Sequence, residues 1–100
     1  MVIADLQVLP RPTTTDSNKP YAIVDEAIRI IQESGLKYRV GPLGTAVQGE
    51  LNEVLALVQN MTAAMRSAGA QEIITIIKIA DLGEKTAEHI TDKDKWNNTL

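Results

Sequence analysis

The stretch that decides the fold runs from Ser34 to Glu50, SGLKYRVGPLGTAVQGE. It reads as the end of one helix, a strand, a turn at Gly41-Pro42-Leu43-Gly44, a second strand and the start of another helix. Leu36, Tyr38 and Val40 alternate with Lys37 and Arg39, the pattern of a half-buried strand with its basic residues outward. Pro42 supplies a fixed φ and Gly44 a permissive backbone for the turn. Thr45 to Gly49 is the short returning strand, and the two strands are expected to pair as a hairpin. Glycine, proline, hydroxyls, an amide and the better placed of the two tyrosines crowd together nowhere else in the chain, so any site is expected on or beside this stretch.

Toward the N-terminus, Val24, Ala27, Ile28 and Ile31 recur at i, i+3, i+4 and i+7, one face of an amphipathic helix. Pro20 suits its first turn and Gly35 its left-handed stop. Thr13 to Lys19 is a polar loop. Before it, Val2, Ala4, Leu6 and Val8 form the core side of a strand whose other side carries Ile3, Asp5, Gln7 and Leu9. Pro10 and Pro12 are expected to end that strand, since neither can donate to a ladder.

Toward the C-terminus, Leu51, Val54, Leu55, Val58, Met61 and Met65 mark a second amphipathic helix stopped at Gly69. Glu72 to Ala80 places isoleucines at both parities (Ile73, Ile77 and Ile79 against Ile74 and Ile76), which predicts a strand covered on both faces. From Asp81 the chain is polar, with Ile90 and Trp96 its main apolar residues. That tail either docks through Trp96 as a short helix or frays.

The order strand, helix, strand, strand, helix, strand is the split βαβ of ferredoxin-like folds. The expectation is a single α+β domain over 1–100, with its core at about 2–80 and a polar tail at 81–100. Two helices cover one face of a four-stranded antiparallel sheet, leaving Ile74 or Ile77, and Ile3 or Leu9, to water on the other. Burying each such side chain stabilises by roughly 1.5–3 kcal/mol, so the open face calls for a cover. Another copy of the chain, as a dimer or a tetramer, is the expected one.

Composition narrows the function. A net charge of −3 argues against nucleic acid, whose binding needs clustered Lys and Arg. No apolar run approaches a membrane span and the N-terminus lacks a signal-peptide layout, so the expected location is the cytoplasm. The 100 residues include no cysteine and one histidine, His89, which excludes thiolate chemistry and disfavours a His-built zinc site. Ser34 and Ser67 have no base nearby, and Asp25, Glu26, Glu50 and Glu53 fall early in helices where the dipole favours acids. The glycines do not follow phosphate-loop spacing. The alternating charges of Asp92, Lys93, Asp94 and Lys95 read as a solvated surface. The chain is read as a non-enzyme.

The residues SGLKYRVGPLGTAVQGE, together with ADLQVLP, YAIVDEAIRIIQESGLKY and the IIKI strand, resemble the thiamine-binding protein family related to YkoF, over most of residues 2–80. The resemblance implies a ferredoxin-like fold, dimers that pair into tetramers, and binding of thiamine or its hydroxymethylpyrimidine half without turnover and without a required cofactor. It assigns Thr45 a ligand hydroxyl, against the alternative of an ordinary strand threonine. Tyr38 would stack or donate, against a core tyrosine, and Ser34 would contribute its hydroxyl, against a helix-end serine satisfying backbone. Gln48 stands where relatives commonly carry glutamate; its amide can pair with a pyrimidine edge but gives less to a cation. Asp5 is either a ligand carboxylate or a polar contact between subunits. Where relatives follow IKI with an acid and arginine, this chain has Ala80-Asp81-Leu82-Gly83. Thr45 and Gln48 have opposite parity, so either a bulge near Gly49 re-aims one of them or only one meets ligand. A homo-oligomeric interaction module with no small ligand is the competing reading.

Overall fold

A computed structural model describes residues 1–81 and 83 of the chain. Its elements are β1 (Val2–Arg11), α1 (Ala22–Glu33), β2 (Lys37–Val40), β3 (Thr45–Gly49), α2 (Leu51–Ser67) and β4 (Glu72–Ala80). The strands form one antiparallel sheet in the order β2-β3-β1-β4, the ferredoxin-like α+β arrangement that the sequence predicts. The segment containing His89 and Trp96 lies outside the described residues.

Both helices end where expected. Gly35 and Gly69 take positive φ, +81° and +115°, directly after α1 and α2. At Gly69 space matters as well as φ, because a Cβ there would lie 2.7 Å from Thr15 Cγ2. α2 starts with Glu53 Oε1 accepting the Glu50 N–H at 2.9 Å, which satisfies an orphan donor of the first turn. On the exposed side of α1, Arg29 pairs with Glu26 at 2.9 Å and Glu33 at 2.6 Å.

The core sits between the helices and the even-numbered side of β1. Val2, Ala4 and Leu6, with Val47 of β3, lie under Ile23, Ala27 and Ile31 of α1 and Val54, Leu57, Met61 and Met65 of α2. Each fully buried large side chain contributes roughly 1.5–3 kcal/mol.

Several expectations need correction. β1 continues through Pro10 to Arg11. Its pairing with β3 runs only from Val2 to Leu6, so beyond Leu6 it has β4 alone as a neighbour, and a proline is tolerated in a strand paired on one side. In α2, Leu57 joins the core, while Leu51 and Leu55 are exposed on the shoulder of the buried seam. Gly44 is not in the left-handed region. What it provides is room: a Cβ would lie 2.9 Å from Asp5 Oδ1 and 3.2 Å from the Leu6 carbonyl oxygen.

The largest correction concerns β4: Ile73 near its start packs against the core, but most of the strand is uncovered on both faces. It is an edge strand, and the helices pack mainly over β1, β2 and β3. Ile77 and Ile79 on the helix side and Ile74 and Ile76 on the other are all exposed, Ile74 by 56%.

The far face of the sheet is divided. Cross-strand register puts Arg39, Ala46, Asp5 and Lys78 in one row and Lys37, Gln48, Ile3 and Ala80 in the next. At the other end Gln7 is opposite Ile76 and Leu9 is opposite Ile74. The charged side chains of the face are therefore gathered in one half, while Ile74, Ile76 and Leu9 lie in the other, with Leu9 exposed as expected.

Candidate functional site

The hairpin turn is tight. The Gly41 N–H donates to the Gly44 carbonyl at 2.8 Å, leaving Pro42 and Leu43 at the tip. Beneath this turn, on the helix side of the sheet, lies a cavity of about 210 Å³. Its walls are Val24, Ala27, Ile28 and Ile31 of α1, Leu6 and Val8 of β1, Val40, the turn itself, Thr45 and Met61. The α1 stripe predicted as core thus lines the cavity along its length. Ala27 and Ile31 are buried, Val24 and Ile28 are partly open, and Ile23 takes the remaining core position.

The volume is below the roughly 300–1,000 Å³ usual for whole drug-sized ligands, and suits a single ring. The walls are aliphatic, and the polar side chain among them is that of Thr45; Gln7 also borders the cavity, but its side chain belongs to the far face. Thr45 is only 6% exposed, placed by the β3 register opposite Leu6 and Val40. A buried hydroxyl in aliphatic surroundings can donate one hydrogen bond and accept others.

The other predicted site residues lie elsewhere. Gln48 is on the opposite face: β3 keeps unbroken register with both neighbours through Gln48, so no bulge re-aims it. It is 8% exposed, its Nε2 donates to Met1 Sδ at 3.0 Å, and its Oε1 is buried without a hydrogen-bond partner. An amide oxygen so placed costs about 1–3 kcal/mol. Asp5 is on the same far face, exposed, opposite Ala46 and Lys78.

Ser34 donates to the Ile31 carbonyl at 2.6 Å and accepts from the Leu36 N–H at 3.1 Å, the helix-end role weighed above. It borders a separate shallow hollow with Leu36, Glu53 and Leu57. Tyr38 shares the helix side of β2 with Val40 but does not line the cavity. It is 39% exposed rather than a core residue, because β2 is an edge strand. Of the five predicted residues, only Thr45 reaches the cavity. Sequence reasoning missed Val40 and Leu43; an apolar residue at a turn tip was the available signal for the latter. Among the described residues no group of three or more His, Cys, Asp or Glu side chains is placed to hold a metal ion. No helix there is long and apolar enough to cross a membrane.

Fold and cavity together define a ferredoxin-like α+β domain with a ring-sized aliphatic hollow under its central hairpin. Residues 4–97 match the family model described as thiamine-binding protein, and the chain belongs to that family. It is similar to a UPF0045 protein of Clostridium perfringens, 32% identical over 74 residues that cover 74% of this chain and 75% of that one. Among solved structures it is similar to a domain of unknown function, DUF77, from Bacillus cereus: 36% identity, TM-score 0.72, covering 83% of this chain and 77% of the other. A putative thiamine biosynthesis/salvage protein from Thermotoga maritima shares the fold at 24% identity, with TM-score 0.66 and coverage of 88% and 97%.

Proposed function

We propose that this protein binds thiamine or its hydroxymethylpyrimidine half, without turnover, as a cytoplasmic homo-oligomer. The observation that carries the reading is the single buried hydroxyl, Thr45, in an aliphatic cavity of one-ring size within a chain of the thiamine-binding family. An aminopyrimidine offers a donor beside a ring acceptor, which a hydroxyl can meet, while its flat faces gain from aliphatic contact. Thr45 serves the ring edge. Gln48 and Asp5, on the far face, can meet only a ligand or a neighbouring chain that approaches that face.

Titration calorimetry with thiamine and with hydroxymethylpyrimidine tests the reading. Saturable heat and a raised melting temperature are expected; no heat and no thermal shift at millimolar ligand would defeat it. One observation favours a second reading, an oligomeric interaction module without a small ligand. β4 presents apolar residues on both faces, and none of them lines the cavity. A stoichiometric protein partner recovered together with ligand-silent calorimetry would select that reading.

A further inference from the structure

Leu43 is the most exposed large apolar side chain of the described residues, 82% open to solvent, and it sits at the rim of the cavity rather than on a broad apolar patch. Pro42 and the Gly41–Gly44 hydrogen bond hold it there, at the tip of the four-residue connection between β2 and β3. None of the described side chains lining the cavity is charged. A cation or a phosphate placed inside would be desolvated with no counter-charge, at high cost. An uncharged flat ring would cover the aliphatic walls on one face and leave its other face to water at the rim, where Leu43 stands.

We infer that the cavity admits an uncharged ring alone, leaves any charged remainder of the ligand outside, and uses Leu43 as the cover that closes over the ring. This rests on the reading of the cavity as the pyrimidine site. It makes Leu43, not Tyr38, the positioning residue for the exposed ring face, by burial of its side chain on binding.

The test is calorimetry of the full chain and of Leu43→Ala with hydroxymethylpyrimidine, thiamine and thiamine diphosphate. Leu43→Ala is expected to weaken binding of all three roughly tenfold or more. The melting temperature and the sedimentation coefficient of the free protein should stay as they are, because the side chain is already solvated. Leu43→Met should restore most of the affinity. In the unmodified protein the diphosphate should bind within about threefold of thiamine, since its charge lies beyond the walls. Unchanged affinity in Leu43→Ala, or a change in its oligomeric mass, overturns the assignment of the cover. A tenfold preference for the diphosphate overturns the uncharged-ring selection. If the unmodified chain binds none of the three, the pyrimidine reading fails first and this inference with it, an outcome visible before any variant is made.

Discussion

Thr45 and Gln48 are three residues apart on a five-residue strand and point to opposite sides of the sheet. Alternation along β3 made that conflict visible in the sequence, and the unbroken register resolves it in favour of Thr45 at the cavity. Thr45→Val keeps the shape and removes the hydroxyl. Binding of hydroxymethylpyrimidine is expected to weaken about fivefold, ~1 kcal/mol, with little change in melting temperature; calorimetry beside a thermal scan separates the two effects. Ser34→Ala should behave in the opposite way. Its hydroxyl is engaged by the backbone at the end of α1, so stability should fall by about 1 kcal/mol in urea titration while ligand affinity holds. Gly69→Ala combines a positive φ with a 2.7 Å approach to Thr15 Cγ2. It should cost about 1–3 kcal/mol, again read by urea titration.

At the scale of elements, the hairpin, both glycine helix stops and the span of β4 were legible because each depends on local signals: period, turn chemistry and left-handed glycine. The start of α2 is equally local. Glu53→Ala removes the acceptor for the Glu50 N–H and should lower stability by about 1 kcal/mol, as loss of helical circular dichroism at a lower denaturant midpoint would report. Pairing context was not legible. Pro10 is a strand stop by its own chemistry, yet β1 passes through it because β3 has already ended on that side. Leu51 and Leu55 match the helical period as well as Leu57 does, and only the seam between α2 and the sheet decides which are buried.

At the scale of the molecule, the exposed isoleucines of β4 and the apolar end of the far face, with Leu9, are the surfaces that the proposed assembly would cover. Replacing Ile74 and Ile76 together by Lys should shift the protein to a smaller species in sedimentation velocity while its circular dichroism is kept, since both side chains are already solvated within one chain. The same mass for the double variant and the unmodified protein would remove this face from the interface. By itself the sequence determined the succession of elements, the core side of β1 and the opposite parity of Thr45 and Gln48 on β3, because these follow from periodicity and turn residues a few positions apart. Only the tertiary structure decided that most of β4 is open on both faces, that the α1 stripe lines a cavity, and that Ser34, Tyr38, Gln48 and Asp5 do not join Thr45. Each depends on how far two helices extend over a four-stranded sheet and on which strands lie at its edges, and those distances arise only when residues remote in the chain are packed together.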